Sequence, residues 1–539
     1  MVFSPTDTIV ALATAPSRAG IGVVRISGPR AHEVARAILT VSHDLQPRYA
    51  TLTHVHGAAP AASADSVFRS PEVCSPKARS PKARSPEASA SGWPQAISPR
   101  SPADSPAFAG NATPIGFGEA APVAPRPIDE VVATFFPRPH SYTAEDVVEI
   151  SAHGSLALLR EIVRAAIEAG ARLAEPGEFT LRAFLNGRLD LVQAEAVGDL
   201  IDAVTPLQAR VAFDQLEGTL TRAIGALDSE LFDLAARLEA SVDFPDEGYH
   251  FIAPGEAAET LRRVRDDVDA LLTTSARGRV IREGRQIAIL GKPNVGKSSL
   301  FNQLVGTDRA IVAARPGTTR DMLSETIDFD GIRLGLVDTA GIRVSSDEVE
   351  QEGVWRARRA AAIADLVVLV LDLSRPLEEI DLALLRETAN SSRIVILNKA
   401  DLPPAWNTEQ RVDAAVSPAT AADAGFIHAS RVNPPVVLSL KTGAGVDELR
   451  VAMRAALDVV EPLRDAPVVT NVRHDALLRR TREALQRAID SLAEAGESAS
   501  EELVLADLGD ARRALEEVTG RRTTEDVLKR IFERFCIGK

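Results

Sequence analysis

Residues 291–298 read GKPNVGKS and fit the phosphate-loop pattern G-x-x-x-x-G-K-[ST]. Residues 286–290 before this segment, which are apolar after Gln286, predict a buried strand, and residues 299–304 after it predict the first turns of a helix. In that setting the glycines let backbone N–H groups surround phosphates, Lys297 reaches the terminal phosphates and the Ser298 hydroxyl binds magnesium. The segment therefore predicts a doubly wound α/β domain that binds a nucleotide.

Three further elements follow in a fixed order. DTAG at 338–341 and NKAD at 398–401 each end an apolar strand, and residues 439–441 follow a third strand. Asp338 can hold magnesium through water, and Asp401 can accept two N–H bonds from the guanine edge, a donor pair that adenine lacks. A glycine turn alone can mimic the first pattern, but four ordered elements favour GTP. The residues assigned to GTP from these motifs are Asn294, Val295, Gly296, Lys297, Ser298, Ser299, Asp338, Thr339, Ala340, Gly341, Asn398, Lys399, Asp401, Ser439, Leu440 and Lys441.

The predicted switch regions depart from the Ras-like scheme. Ile342 follows the DTAG motif, so the glutamine that usually orients water is missing and hydrolysis needs another group or a partner. Residues 315–321 predict the first switch, in which Thr319 closes on magnesium. Arg343 and the acidic residues 347–350 lie where a second switch is expected, and the alternative interpretation of the acidic run is a solvated acidic helix start.

Composition limits the class of protein. A chain of 539 residues is expected to form two to four domains, and a net charge of −14 gives no overall basic field for nucleic acid. Two distant cysteines, Cys74 and Cys536, argue against a disulfide framework and are typical of a reducing cytoplasm. Without a membrane-length apolar run or a secretory signal, we expect a cytoplasmic protein without a membrane segment.

The pattern along the chain changes several times. Residues 58–126 are rich in Ala, Ser and Pro and predict a disordered insert, which we interpret as a linker rather than an RNA contact. Strands are predicted within 8–27 and 128–150, then a helix over 156–169, as in an interrupted α+β domain. Helical periodicity covers 189–279 and returns over 461–535. Because each helical half needs an apolar partner, we predict that the halves pack together and that the GTPase domain is inserted between them.

The interrupted domain and the chain end contain several specific segments. They are DTIVA at 7–11, GIGVVRISG at 20–28, PHSYT at 139–143, EDVVE at 145–149, PGEFT at 176–180, RAFLN at 182–186, DLVQAEA at 190–196 and FCIGK at 535–539. In these segments, and over nearly all its length except the insert and the spacer between Asp401 and Ser439, the chain resembles the MnmE (TrmE) family of tRNA modification GTPases.

The resemblance implies a multidomain α/β and α+β fold. Its parts are an N-terminal α+β folate-binding and dimerisation domain over 1–188, a discontinuous helical domain over 189–282 and 458–539, and an inserted Ras-like P-loop GTPase domain over 283–457. It also implies an activity, the GTP-driven addition of an aminomethyl or carboxymethylaminomethyl group to the wobble uridine of certain tRNAs. The one-carbon donor is of the formyl-tetrahydrofolate type, and the homodimer joins an FAD-dependent partner, MnmG, in a heterotetramer.

The resemblance also assigns roles to single residues. Arg25, Glu149, Arg188 and Lys539 match the folate-binding positions, although as isolated residues each would be interpreted as a surface charge or an ordinary ion pair. Catalytic roles fall on Lys297, Arg343, Cys536 and Glu350, the last of which orients water in place of the missing glutamine. Magnesium is expected at Ser298 and Thr319. Potassium is expected at Asn294, Ala313, Arg315 and Thr318, which also lie against GTP.

Alternatives remain at two points. Cys536 is either a nucleophile or redox thiol near the folate or a small buried apolar residue. Residues 536–539 also mimic a prenylation box, but the terminal lysine and the non-aliphatic Gly538 argue against it. The GTPase motifs are also typical of ribosome-assembly GTPases that act as RNA-binding switches, and of purely structural nucleotide switches. Modification of tRNA in the presence of the flavoprotein would distinguish the enzyme from a ribosome-assembly GTPase. Binding of a one-carbon carrier would distinguish it from a purely structural switch.

Overall fold

The computed structural model describes residues 6–15, 18–56, 127–243, 252–307, 309–310, 324–338, 361–406, 434–457, 466–494, 501–533 and 535–538. The chain divides into two compact units. The first comprises Met1–Pro137 and Asp146–Leu173, and the second comprises Arg138–Glu145 and Ala174–Lys539. The predicted disordered insert and most of both predicted switch regions lie outside the described residues.

The first unit is an α+β layer structure. Its six-stranded sheet has the order β3-β4-β5-β2-β1-β6, with antiparallel neighbours except for the parallel pair β1 and β6. Its helices pack on the sheet through a core that includes Val24, Ile150 and Ile162. The predicted strands and helix on either side of the insert are confirmed. The elements are β1 (Ile9–Leu12), β2 (Ile21–Ser27), α1 (Ala31–Ile38), β3 (Thr51–His56), β4 (Pro127–Phe136), β5 (Val147–His153), α2 (Leu156–Glu168) and β6 (Arg172–Leu173).

The second unit begins with five helices. They are α3 (Glu178–Leu185), α4 (Leu191–Asp202), α5 (Pro206–Leu216), α6 (Thr219–Asp243) and α7 (Pro254–Glu283). Local sequence sets where α4 and α5 begin, because Asp190 with Gln193 and Thr205 with Gln208 form capping boxes. Pro206 at the first turn of α5 has no N–H to leave unsatisfied.

A doubly wound sheet follows α7, as predicted. Its order is β13-β12-β11-β7-β10-β9-β8, and the five strands from β13 to β10 are parallel. All seven residues of β11 are buried, as expected for a strand covered by helices on both faces. The elements are β7 (Arg285–Leu290), α8 (Lys297–Thr307), β8 (Arg309–Ala310), β9 (Ser324–Phe329), β10 (Ile332–Asp338), β11 (Leu366–Asp372), α9 (Glu379–Glu387), β12 (Arg393–Asn398), β13 (Val436–Val437) and α10 (Val446–Ala456).

The described residues after the GTPase domain form three helices, α11 (Val472–Glu494), α12 (Glu501–Thr519) and α13 (Glu525–Phe532). One core contains Leu231 of α6, Leu261 of α7, Leu485 of α11 and Leu508 of α12. The predicted packing of the helical segments before and after the GTPase domain is therefore confirmed. Among the helices that the structure describes, none is long and apolar enough to cross a membrane.

Candidate nucleotide-binding site

The phosphate loop joins β7 to α8 at the carboxyl edge of the parallel sheet. Gly291 and Gly296 adopt φ values of 145° and 112°, and Asn294 adopts a left-handed φ of 63°. A Cβ atom at Gly296 would collide with the amide of Asn398, so this position needs glycine for space as well as for conformation. Asn294, Ser298 and Ser299 are exposed, so their polar groups face solvent where a nucleotide would bind.

The Lys297 side chain is hydrogen-bonded inside the phosphate loop. Its Nζ donates to the carbonyl oxygens of Gly291 at 2.9 Å and Lys292 at 2.7 Å, and the residue is buried. The ammonium group thus lies among the loop carbonyls, at the start of a helix whose positive end also favours anions. This position suits the predicted contact with terminal phosphates.

The base motif is joined to the phosphate loop through Asn398. Its Nδ2 donates to the Val295 carbonyl at 2.7 Å, and its Oδ1 accepts from the Leu440 N–H at 3.1 Å. Asn398 is buried, and its bond to Val295 is shielded from water. One side chain therefore fixes the phosphate loop and residues 439–441 with respect to each other.

Asp401 presents the carboxylate expected to recognise guanine. It is exposed, and its Oδ1 accepts from the Ser439 hydroxyl at 2.7 Å. That hydrogen bond holds the pKa of Asp401 below its usual value, so the group is an ionised acceptor at neutral pH. The structure thus assembles the predicted loop, the base motif and the segment around Ser439 into one site.

Other assigned residues are not described. Asp338 ends β10, as predicted, but nothing is described of its side chain. The remaining residues that lie outside the described part of the chain are Ala313, Arg315, Thr318, Thr319, Thr339, Ala340, Gly341, Arg343, Glu350 and Lys539. The water-orienting, magnesium and potassium assignments that depend on them stay predictions.

Comparison with known proteins places this site in a family. The family model described as "MnmE helical domain" matches residues 191–536, and that described as "GTP-binding protein TrmE N-terminus" matches 8–72 and 109–188. The tRNA modification GTPase MnmE of Koribacter versatilis is 38% identical over 534 residues, which are 99% of each chain. The chain belongs to the MnmE family of tRNA modification GTPases. With this membership and the assembled site, it is a GTPase.

Other matches agree with the MnmE assignment. The MnmE protein of Moorella thermoacetica is 43% identical over 423 residues, covering 78% of this chain and 87% of its own. That of Alkaliphilus oremlandii is 35% identical over 539 residues and covers 99% of each. Among solved structures, the G domain of the T. maritima FeoB iron transporter aligns to 32% of this chain and 98% of its own, at 26% identity. Its TM-score of 0.23 is too low to support a conclusion.

The residues predicted to bind folate fall into both units. In the first unit, Arg25 and Glu149 are register partners on β2 and β5, and their side chains form an ion pair at 2.8 Å. In the second unit, Arg188 follows α3 and is exposed. The cross-strand pair is what the alternative of an ordinary ion pair predicts, so folate binding at Arg25 and Glu149 stays a proposal.

Cys536 lies on the FCIGK segment at residues 535–539. Its carbonyl accepts from the Gly177 N–H at 3.4 Å, and the next residue, Ile537, forms a β-bridge with Pro176. The thiol is exposed and borders a cavity of about 460 Å³ that Glu195 also lines. The alternative that Cys536 is a buried apolar residue is therefore wrong, because its side chain faces open space.

Two contributors to the site were missed in the sequence. Lys292 of the phosphate loop pairs with Asp381 at 2.7 Å and Glu378 at 3.2 Å. Asp372 pairs with Lys399 at 2.6 Å. A signal for Asp372 was present, since it ends a buried apolar strand as Asp338 and Asn398 do.

Proposed function

We propose that the chain is a GTP-hydrolysing tRNA-modification enzyme. Together with an FAD-dependent flavoprotein of the MnmG type, it adds an aminomethyl or carboxymethylaminomethyl group to the wobble uridine of certain tRNAs. A formyl-tetrahydrofolate-type molecule supplies the one-carbon unit. The observation that carries the proposal is an assembled GTP site in a chain that matches tRNA modification GTPases along 99% of its length. We further propose a cytoplasmic homodimer.

Magnesium fits the start of α8. Ser298 is exposed at the first turn of this helix, and its hydroxyl is the hard oxygen ligand that magnesium prefers. Thr319 would supply the second hydroxyl. Bound there, magnesium would neutralise charge on the phosphates.

Potassium fits the exposed turn of the phosphate loop. Asn294 is exposed in a left-handed conformation, and its amide oxygen is a suitable neutral ligand. Ala313, Arg315 and Thr318 would complete the site. A monovalent cation held there would offset phosphate charge in place of an arginine finger, and Glu350 would orient the attacking water.

Folate binding is proposed for the four charged residues named from the family. Arg25 and Glu149 are only partly exposed, with 15% and 29% of their side-chain surfaces open to solvent. Arginines suit the carboxylates of a glutamate tail, whereas Glu149 can accept pterin N–H bonds. Arg188 and Lys539 would supply further cations.

One reaction tests the proposed activity. The purified chain, its flavoprotein partner, GTP, formyl-tetrahydrofolate and unmodified tRNA are combined in potassium or in sodium at equal ionic strength. Released phosphate and the mass of the wobble nucleoside are then measured. We expect potassium to accelerate GTP hydrolysis. We also expect the wobble nucleoside to gain mass, because in the proposed function GTP hydrolysis drives the modification.

Variants in the acidic run sharpen the result. Glu350→Ala should abolish hydrolysis and modification, with a loss of about a hundredfold or more for a water-orienting group. Glu348→Ala removes a charge two residues away and should leave both readouts unchanged. If GTP is hydrolysed but the wobble nucleoside gains no mass, the proposal is overturned and a ribosome-assembly GTPase is favoured. Equal rates in both salts would exclude the potassium site.

A further inference from the structure

Asp372 is an acidic residue at the carboxyl edge of the sheet that belongs to none of the GTPase motifs. Only 5% of its side chain is exposed. Its Oδ2 lies 2.6 Å from Lys399 Nζ, and its Oδ1 accepts from the Ser374 N–H at 3.0 Å and the Ser374 hydroxyl at 2.6 Å. Burial raises the pKa of Asp372, but the bonds from Lys399 and Ser374 outweigh burial and hold the pKa below its usual value. The residue is therefore an ionised partner of Lys399.

Lys399 is the second residue of the base motif and has an unusual backbone. Its φ of 69° lies in the left-handed region, which residues other than glycine rarely adopt unless their surroundings hold them there. Its neighbours in the motif are held separately, Asn398 by Val295 and Leu440, and Asp401 by Ser439. Lys399 itself is held by Asp372.

The direction of the lysine side chain follows from strand register. Asp372 and Asn398 are partners on the parallel strands β11 and β12. A lysine that follows Asn398 and pairs with Asp372 must extend from the end of one strand to the end of the next. Its apolar stem therefore crosses the sheet edge where ligands bind in doubly wound folds.

We propose that Asp372 is a positioning residue for the guanine base, acting through Lys399. The ion pair holds the apolar stem of Lys399 beside Asp401, where the stem supports the guanine base. The ammonium group stays paired with the Asp372 carboxylate. The base meets this support equally in the ground state and the transition state, so the contribution is to nucleotide affinity and not to the chemical step. The inference rests on GTP binding alone and is independent of tRNA modification.

The first test measures GDP and GTP affinity and steady-state hydrolysis for Asp372→Ala. Loss of a charge-assisted contact is expected to raise Kd and KM about tenfold and to leave kcat unchanged at saturating GTP. Ser374→Ala is the matched control, because it removes a hydroxyl from Oδ1 and leaves the Oδ2 contact with Lys399. It should leave Kd unchanged. An unchanged Kd in Asp372→Ala, or a fall in kcat with constant KM, overturns the proposal.

A double-mutant cycle shows whether Asp372 acts through Lys399. Lys399→Met keeps an apolar stem of similar length but removes the charge. In that background Asp372→Ala should add no further loss, whereas additive losses would contradict the positioning role. Inosine diphosphate, which lacks the 2-amino group that Asp401 can bind, should lose the same factor as GDP in Asp372→Ala. If that variant fails to fold, Asp372→Asn replaces it. A smaller rise in Kd is then expected, because the amide oxygen can still accept a bond from Lys399.

Discussion

At the scale of single residues, the phosphate loop is anchored by Lys292. This residue occupies a position where the G-x-x-x-x-G-K-[ST] pattern accepts any amino acid. Lys292 Nζ lies 2.7 Å from Asp381, which is almost fully buried and belongs to the capping box at the start of α9. Burial opposes the charge on Lys292, but bonds to Asp381 and Glu378 raise its pKa above the usual value. The pair therefore ties the loop to α9.

Replacing Lys292 tests this anchor. Lys292→Met leaves the buried carboxylate of Asp381 without its cation, and we expect the opening free energy of the loop to fall by about 1–3 kcal/mol. Hydrogen exchange at residues 291–298 measures that free energy, and Lys292→Arg should restore most of it. Arg386→Met breaks an exposed pair with Glu379 on the same helix and should change it by less than about 0.5 kcal/mol. Equal effects of Lys292→Met and Arg386→Met would contradict the anchor.

The same residues show what the sequence can predict at this scale. Asn398, Asp401 and Ser439 belong to patterns whose chemistry is known, and the structure brings them together as predicted. The pairs of Lys292 with Asp381 and Lys399 with Asp372 depend on which strands are neighbours and in what register. No local pattern determines that register, so these pairs become visible only in the fold.

At the scale of elements, a buried charged cluster connects α4 to the start of α11. Glu195 accepts from Arg473 at 3.0 and 3.1 Å and from His474 at 2.7 Å, and Arg473 also donates to the Glu517 carbonyl at 2.8 Å. Burial raises the pKa of Glu195, but His474 and Arg473 outweigh burial and lower the pKa to about 2. The cluster stabilises the folded state while Glu195 is ionised.

The pH dependence follows from that shift. An unfolded Glu has a pKa near 4.5, so the stabilisation is complete above about pH 4.5 and is lost as pH falls towards 2. A difference of this size corresponds to about 3 kcal/mol. Hydrogen exchange of α4 amides, corrected for intrinsic rates, should show this loss of stability at low pH in the wild type and not in Glu195→Gln. Asp190, whose pKa burial raises, is present in both proteins and cancels in the comparison. Glu195 also acts on the pKa values of His474 and Asp199, so the difference reports Glu195 together with these two neighbours. A difference independent of pH would contradict the assignment.

Element prediction was good where local signals are strong. Pro206 and Pro254 were predicted to break the helical pattern, and in the structure each lies in the first turn of a helix, α5 and α7. In contrast, residues 138–145 and 174–188 cluster with the second unit, and Arg182 pairs with both Glu145 and Glu178 there. Pairing between segments distant in sequence leaves no periodicity to detect. The predicted boundary at residue 188 stays a prediction.

At the scale of the whole molecule, the chain leaves the helical core for the GTPase domain and returns to it at adjacent points. Ile281 near the end of α7 packs against Val468, which follows the GTPase domain. The Val469 N–H donates to Thr274 Oγ1 at 3.0 Å, and Gln215 Nε2 donates to the Val468 carbonyl at 2.8 Å. Adjacent entry and exit points are what an inserted domain requires.

This geometry predicts that the GTPase domain can be removed. Replacing residues 285–465 with a short Gly-Ser linker should leave the helices of the shared core folded, because Leu231, Leu261, Leu485 and Leu508 all remain. Far-UV circular dichroism should show undiminished helicity per remaining helical residue and cooperative unfolding. The separate fragment 283–457 should bind GDP, since its phosphate loop and base motif are joined within it by Asn398.

A longer deletion supplies the control. Removing residues 254–465 also deletes α7 and with it Leu261, Val264 and Val268, three fully buried members of the core. Loss of side chains of this size costs about 2–5 kcal/mol each, so the longer deletion should unfold the helical domain. If the shorter deletion also unfolds the helical domain, the GTPase domain is part of the helical core and not an independently folding insert.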